Sequence, residues 1–155
     1  MLYFAYGMNT NNNAMSKTSQ RLGPATLLDY KWEMLQFANV FESRGATAIG
    51  VLWDIDETEL QDLDYREGYP SFYDRVSATV EHQGEQKKAW VYYMTPHYRT
   101  KLSGCEPSQH YAQMVAEGFA QATEVVRWDG LREAMLRTAG GRPEVFLDNR
   151  RSFTR

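Results

Sequence analysis

The sequence contains little cysteine and little net charge, and both shortages narrow its possible functions. Cys105 is the single cysteine among 155 residues, which excludes an internal disulfide and favours a reducing compartment. The formal net charge is only −3, so the chain lacks the basic surface that nucleic acids or anionic membranes attract. We therefore expect a partner that is neither a nucleic acid nor a membrane.

Long apolar runs are also missing. The chain opens directly into Leu2–Tyr6 without a basic segment before it, and no stretch reaches the roughly 20 apolar residues that a membrane helix needs. We expect neither a signal peptide nor a membrane span, and we expect a cytoplasmic protein. The basic residues near the C-terminus, within 148–155, are interpreted as a solvated tail.

Neither the histidines nor the clustered aspartates have the spacing of metal ligands. We interpret the aspartates as helix caps and as part of a solvated helix face. The residues concerned are His82, His97, His110, Asp54, Asp56, Asp62 and Asp64. Glycine-rich phosphate-binding motifs are absent as well. A dyad of Cys105 with a histidine is conceivable, but no spacing signature supports it, and we expect no metal and no cofactor.

Aromatic and apolar residues are plentiful. The chain has 10 Tyr, 7 Phe and 4 Trp, and 43% of its residues are hydrophobic. Aromatic rings bury large areas and often line pockets. The length suits one domain with one sizeable core, and we expect a single domain over residues 1–155.

The first half of the sequence predicts strands separated by one short helix. An apolar strand should end at Gly7, and the polar run after it should cap a helix. Apolar residues at alternate positions and β-branched runs predict the later strands. The expected elements are a helix at about Asn13–Arg21 that stops at Gly23-Pro24, a strand over Ala25–Val40 and a strand over Thr47–Trp53.

The second half predicts helices around a hairpin. Asp56, followed three residues later by Glu59, resembles a capping box, and the helix after it should bury Leu60 and Leu63 before ending at Gly68. Two strands, near Tyr73–Glu81 and Lys87–Tyr93, should form a hairpin through Gln83-Gly84-Glu85. A helix capped by Ser108 should follow, with one face formed by Tyr111, Met114, Val115, Gly118 and Phe119. A last helix is expected over Leu131–Thr138. This order of elements favours an α+β fold with a barrel-like, largely antiparallel sheet flanked by helices.

Tyr3–Asn9 is the first of two segments that could carry chemistry. A strand end followed by glycine and a helix start presents several unpaired backbone N–H groups in one direction, which can form an anion site. The alternative is an ordinary turn between a strand and a loop.

Asp64–Gly68 is the second such segment. Glu67 lies at a predicted helix end with aromatic residues on both sides, and such surroundings desolvate a carboxylate and raise its pKa towards neutrality. A carboxylate with that pKa suits general acid–base catalysis. The alternative is a surface glutamate near a helix cap. The aromatic neighbours are Tyr65, Tyr69, Phe72 and Tyr73.

Three blocks of the sequence resemble one protein family. Tyr3–Asn9 resembles the YFAYGSN signature of the gamma-glutamylcyclotransferase and AIG2-like proteins. Gly50–Trp53, Leu63–Gly68 and Tyr73–Arg75 resemble the GxLY…LDxxEG…YxR block of that family. Pro107–Tyr111, with a glycine seven residues on, resembles its PSxxYxxxxxxG segment. The blocks occur in family order and cover roughly residues 1–120, while residues 121–155 are expected to form a C-terminal helix and tail.

The resemblance implies a role for individual residues. It implies a small mixed, largely antiparallel β-barrel in which loop amides hold a gamma-glutamyl group, a glutamate catalyses, and two tyrosines line the pocket. The matching positions are Tyr6, Gly7, Met8 and Asn9 for the loop, Glu67 for the catalytic glutamate, and Tyr73 and Tyr111 for the pocket. The family usually has serine where this chain has Met8.

The reaction that the resemblance implies is intramolecular aminolysis of a gamma-glutamyl amide, which releases 5-oxoproline and an amine or amino acid without a cofactor. Two alternatives remain open. The chain could be a non-catalytic binding module that keeps the pocket, or it could be a gamma-glutamylamine cyclotransferase that differs only in its leaving group.

Overall fold

In the computed structural model, which describes residues 1–122, five strands close into a barrel in the order β1-β3-β2-β4-β5. The strands are β1 (Leu2–Ala5), β2 (Gln20–Met34), β3 (Ala38–Asp54), β4 (Tyr73–His82) and β5 (Glu85–Met94). The helices are α1 (Glu57–Glu67), α2 (Pro96–Lys101) and α3 (Gln109–Ala122), and two short 3₁₀ turns lie at Met8–Thr10 and Asn12–Ala14. The β1–β5 pair is parallel and the other pairs are antiparallel. The predicted α+β class with a mixed, largely antiparallel barrel is confirmed.

Alternate side chains of the strands enter two apolar clusters. Phe4 packs with Leu52 in a cluster that α3 joins through Val115. Tyr3 belongs to the other cluster, in which β1 and β3 meet Leu63 of α1. Because neighbouring residues of a strand point to opposite faces, β1 directs Tyr3 towards α1 and Phe4 towards the first cluster.

Local signals fix both ends of α1, as the sequence predicts. The Asp56 side chain accepts a hydrogen bond from the Glu59 amide at 2.8 Å, and Glu59 reaches back to the Asp56 amide, which completes a capping box. Leu60 and Leu63 are buried. Gly68 ends the helix in the left-handed region at φ 65°, where glycine carries no steric penalty. Glu67 is therefore the last residue of the helix.

The two C-terminal elements in the described part also follow the sequence. The β4–β5 hairpin turns at Gln83 and Gly84, both with positive φ, as a tight hairpin turn requires. Ser108 accepts a hydrogen bond from the Tyr111 amide at 3.1 Å and so caps α3. Helix α2, which begins with Pro96 directly after β5, was not predicted.

The predicted helix at Asn13–Arg21 is wrong. Short 3₁₀ turns occupy the polar run, where the Asn11 side chain accepts a hydrogen bond from the Asn13 amide at 3.0 Å. Asparagine side chains compete with helical hydrogen bonds in this way, and the run has no apolar face to bury. Strand β2 already begins at Gln20, and Gly23-Pro24 lies at an irregularity of register inside it rather than at a helix end.

The predicted strand over Ala25–Val40 is also wrong, because the chain reverses within it. Residues 35–37 form the turn between β2 and β3, where the Leu35 amide donates to the Phe37 carbonyl at 3.1 Å. The predicted strand over Thr47–Trp53 is the second half of β3, which runs for 17 residues. One long hairpin thus replaces two separate strands.

The predicted helix over Leu131–Thr138 and the basic tail lie outside the described residues, and the single domain over 1–155 stays a prediction. Within residues 1–122, no helix is long and apolar enough to cross a membrane.

Candidate active site

The loop after β1 has backbone amides that the sheet does not use. Pairing of β1 with β3 ends at Ala5 opposite Val51, before the loop begins at Gly7. The loop carbonyls are occupied, because the Thr10 amide donates to the Gly7 carbonyl at 3.1 Å and the next amide donates to the Met8 carbonyl at 3.0 Å. Within the described part of the chain, the amides of residues 7–9 donate to no other residue. Such donors need water or a ligand.

Gly7 stands where the loop meets two other elements. A Cβ atom there would lie 3.1 Å from Ala38 Cβ and 3.2 Å from Tyr111 Oη, closer than side chains normally pack. The backbone of Gly7 has φ −129°, which is not in the left-handed region. A side chain at this position would therefore have to displace Ala38 or Tyr111 by a few tenths of an ångström.

A cavity of about 480 Å³ opens in front of the loop, and all seven residues that the sequence singled out line it. They are Tyr6, Gly7, Met8, Asn9, Glu67, Tyr73 and Tyr111. The wall also includes aromatic residues from the β2–β3 turn, from the segment after α1 and from two strands, namely Phe37, Phe72, Tyr3 and Tyr92. The seven residues thus face one space, although their roles stay predictions.

Asn9 connects the loop to the end of α1. Its Nδ2 atom donates to Glu67 Oε1 at 3.4 Å and to Tyr3 Oη at 2.9 Å. Trp53 Nε1 in turn donates to the Asn9 carbonyl at 3.0 Å and fixes the residue from the other side. Glu67 therefore faces the loop at hydrogen-bond distance from one of its residues.

Burial in the cavity raises the pKa of Glu67 to about 7, while the nearby Arg66 charge and the Asn9 hydrogen bond oppose this shift. A carboxylate with this pKa can accept a proton and return it near neutral pH. Of the aromatic residues expected around Glu67, Tyr65, Phe72 and Tyr73 line the cavity with it. Tyr65 is 89% exposed and Tyr69 is 38% exposed, so the buried rings of the wall are better placed to desolvate the carboxylate.

The hydroxyl groups of four tyrosines in the cavity wall have different partners. Tyr6 donates to the Tyr92 carbonyl at 2.7 Å, and Tyr73 donates to the Ala38 carbonyl at 2.6 Å. Tyr111 instead accepts a hydrogen bond from the Ala38 amide at 3.0 Å, and Tyr3 accepts from Asn9. Burial raises the pKa of all four phenols above its ordinary value, so all four are protonated at neutral pH.

Asp64 supports the end of α1 from outside the cavity. It accepts from Arg75 Nε at 2.9 Å and from Tyr92 Oη at 2.6 Å, and so ties the helix to β4 and β5. The expected role of Asp64 on a solvated helix face is therefore wrong. Asp56 is a helix cap, as predicted. Residues 1–122 contain no group of three or more His, Cys, Asp or Glu side chains arranged to hold a metal ion.

Sequence reasoning missed several contributors to the cavity. Tyr3 lies inside the recognised segment, on the same face of β1 as Ala5. The alternation of side chains along the strand could therefore have predicted its direction. Ala38 and Phe37 could not be found, because the chain reversal that brings them to the cavity was not predicted. Trp53 was assigned to a strand, but its contact with Asn9 depends on the register between β1 and β3.

Comparison with known proteins places this geometry in context. The family described as "Gamma-glutamyl cyclotransferase, AIG2-like" matches residues 3–113. No curated protein matches the sequence.

Several solved structures share the fold at low sequence identity. One described as "Gamma-glutamyl cyclotransferase" is 21% identical with a TM-score of 0.69, and the match covers 86% of this chain and 85% of the other. The uncharacterized protein loc79017 from Homo sapiens is 24% identical with a TM-score of 0.69 and the same coverage. An AIG2-like protein from Mus musculus is 20% identical with a TM-score of 0.56, and the match covers 67% of this chain and 82% of the other. The family match spans most of the barrel, both recognised segments and the start of α3, and the chain therefore belongs to the gamma-glutamyl cyclotransferase, AIG2-like family.

Proposed function

We propose that the protein is a cofactor-independent cyclotransferase that converts a small gamma-glutamyl amide into 5-oxoproline and a free amine or amino acid. The observation that carries this proposal is the position of Glu67, whose carboxylate lies 3.4 Å from Asn9 Nδ2 on the loop with free amides. A general base and a set of anion-binding donors thus face the same cavity. The single cysteine supports a cytoplasmic location as part of the proposal.

Substrate binding would use the free amides of the loop. Gly7, Met8 and Asn9 offer N–H groups to an anionic oxygen, and the substrate's α-carboxylate is such a group. A cavity of about 480 Å³ is large enough for a small amino-acid derivative. The aromatic wall would lower the effective dielectric constant around the reacting atoms, which strengthens each of these polar contacts.

Glu67 would start the reaction as a base. Its carboxylate removes a proton from the α-ammonium group, and the resulting amine attacks the γ-carbonyl carbon to close a five-membered ring. Because both reacting groups belong to one molecule, holding it in the folded shape supplies much of the rate enhancement. No covalent bond to the enzyme is needed.

Glu67 would then act as an acid. The carbonyl oxygen carries negative charge in the tetrahedral intermediate, and hydrogen-bond donors in the cavity stabilise it. When the amide C–N bond breaks, the leaving nitrogen takes the proton from Glu67. Glu67 thus carries one proton from the α-ammonium group to the leaving nitrogen, the ring nitrogen releases its second proton to solvent, and the freed amine takes one up from solvent, so the reaction consumes no proton at neutral pH.

Two other functions fit the same cavity. Met8, which stands where the family usually has serine and lines the cavity, favours a binding module that has lost catalysis. A gamma-glutamylamine cyclotransferase would keep the same chemistry and release a larger amine. The retained Glu67 with its raised pKa favours an enzyme over the binding module.

Incubating the purified protein with a panel of gamma-glutamyl amino acids and gamma-glutamyl amines, and measuring 5-oxoproline, separates these functions. A cyclotransferase forms 5-oxoproline from at least one compound, and the preferred leaving group identifies the type of cyclotransferase. A protein that binds these compounds without converting any of them is a binding module.

A further inference from the structure

Four of the tyrosines in the cavity wall, Tyr3, Tyr6, Tyr73 and Tyr111, divide into two pairs by the direction of their hydrogen bonds. A phenol has one proton to donate, and Tyr6 and Tyr73 donate theirs to backbone carbonyls at 2.7 and 2.6 Å. Tyr3 and Tyr111 accept from N–H groups at 2.9 and 3.0 Å. Because an amide nitrogen can only donate, the protons of these two hydroxyls have no acceptor among the residues that the structure describes.

A buried hydroxyl proton without an acceptor in the protein is available to a water or to a ligand that displaces it. Tyr3 is 4% exposed, and both Tyr3 and Tyr111 line the cavity. We propose that the Tyr3 and Tyr111 hydroxyls donate hydrogen bonds to the substrate, whereas the Tyr6 and Tyr73 hydroxyls donate to backbone carbonyls of the cavity wall. This inference rests on the proposed function for the identity of the substrate, and it adds Tyr3 to the residues that contact it.

Tyr111 belongs to the anion-binding side of the cavity. Its Oη atom would lie 3.2 Å from a Cβ atom on Gly7, so the hydroxyl stands beside the free amides of the loop. A hydroxyl donor next to several unpaired backbone amides suits a full negative charge. Tyr111 therefore donates to the α-carboxylate of the gamma-glutamyl group.

Tyr3 belongs to the side of the cavity where the base lies. Asn9 Nδ2 contacts both Tyr3 Oη and Glu67 Oε1, so the hydroxyl and the carboxylate are held by one amide group. The acceptor that remains, once the loop and Tyr111 hold the α-carboxylate, is the γ-carbonyl oxygen. Tyr3 therefore donates to this oxygen and contributes most when it becomes an oxyanion.

Four variants, each lacking one oxygen atom, test this division: Tyr3→Phe, Tyr111→Phe, Tyr6→Phe and Tyr73→Phe. With L-gamma-glutamylglycine, or the best compound of the panel, we expect Tyr111→Phe to raise KM about 10-fold or more with kcat nearly unchanged. We expect Tyr3→Phe to lower kcat about 10- to 100-fold, towards the effect of removing one oxyanion donor. Tyr6→Phe and Tyr73→Phe should change KM and kcat less than Tyr111→Phe and Tyr3→Phe do, respectively, and should lower the melting temperature.

Tyr73→Phe is a matched control for Tyr111→Phe, because both variants remove a hydrogen bond to Ala38. An equal rise in KM in these two variants would mean that Tyr111 acts only by positioning Ala38, and it would overturn the inference. Wild-type constants in Tyr3→Phe and Tyr111→Phe would overturn it too. Circular dichroism well below each melting temperature establishes that the variants are folded when they are compared.

Failure of the proposed function gives a different pattern. If the wild-type protein forms no 5-oxoproline, calorimetric titration with L-gamma-glutamylglycine still tests the hydroxyl donors. A larger loss of binding in Tyr3→Phe and Tyr111→Phe than in Tyr6→Phe and Tyr73→Phe would support the two donors without catalysis. No binding by the wild-type protein would overturn both proposals.

Discussion

The side-chain amide of Asn9 lies 3.4 Å from the carboxylate of Glu67, and this contact joins the loop after β1 to the end of α1. The two residues are 58 positions apart in the chain. The Asn9 hydrogen bond favours the ionised carboxylate, whereas burial favours the neutral form. The pKa of Glu67 thus depends on the position of the loop.

Replacing Asn9 should shift the pH dependence of catalysis. Asn9→Ala removes a hydrogen bond that lowers the Glu67 pKa, so the acid limb of the kcat/KM profile should move to higher pH. Asn13→Ala is a matched control, because Asn13 is exposed in the neighbouring turn. An acid limb that stays in place in Asn9→Ala would show that the contact does not affect the base.

Glu67 should make the folded protein less stable as pH rises. Its pKa is about 7 in the folded state against 4.5 ordinarily, so the folded state binds more protons between these values. The contribution of the protonated carboxyl to the unfolding free energy is therefore fully present below about pH 4.5, and it is lost as the pH rises through about 7.

Glu67→Gln removes this ionisation. We expect the variant to exceed the wild type in unfolding free energy by about 1–2 kcal/mol at pH 8, after allowing for partial exposure, and to match it more closely at pH 5. Denaturant titrations at the two pH values measure this difference. The opposite trend with pH would show that Glu67 is stabilised as a carboxylate.

Gly7→Val should reduce substrate binding more than it reduces stability. A Cβ atom at this position already lies within 3.2 Å of Tyr111 Oη and Ala38 Cβ, and the two further methyl groups of valine would displace the tyrosine and obstruct the loop amides. Calorimetric titration with L-gamma-glutamylglycine and thermal unfolding measure the two effects. Gly7→Ala is a graded control that should lie between the wild type and Gly7→Val. Full binding in a folded Gly7→Val protein would show that the substrate does not approach the loop.

Met8→Ser should preserve or improve the turnover of simple gamma-glutamyl amino acids. The backbone amide of residue 8 is unchanged by the substitution, while a hydroxyl donor replaces a thioether at the cavity. Comparing kcat/KM for the two proteins over the substrate panel tests this expectation. A large loss of activity would mean that the Met8 side chain itself contacts the substrate.

Much of the fold followed from local sequence signals. The capping box at Asp56, the left-handed Gly68 and the turn at Gln83-Gly84 each fix a boundary without help from distant residues. The β2–β3 hairpin escaped prediction, because its turn at residues 35–37 contains no glycine, proline or asparagine. Gly23-Pro24, the dipeptide that most strongly predicts the end of a secondary-structure element, lies instead inside strand β2.

The candidate site was predictable as a set of residues but not as a network of hydrogen bonds. Glu67 and the loop were identified from short segments that resemble one family. The direction of each tyrosine hydrogen bond depends on backbone groups far along the chain, such as the Tyr92 carbonyl that accepts from Tyr6 across 86 positions. Sequence patterns carry no information on such pairs, because barrel closure creates them.

The rate of 5-oxoproline formation by Glu67→Gln, relative to the wild type, tests most directly whether Glu67 is the catalytic base. Asp62→Asn is the matched control, since Asp62 is an exposed carboxylate on the same helix. We expect a folded Glu67→Gln protein to lose about 10²–10⁴-fold in kcat while Asp62→Asn keeps the wild-type rate. Near-wild-type formation of 5-oxoproline by Glu67→Gln would contradict the assignment of Glu67 as the base.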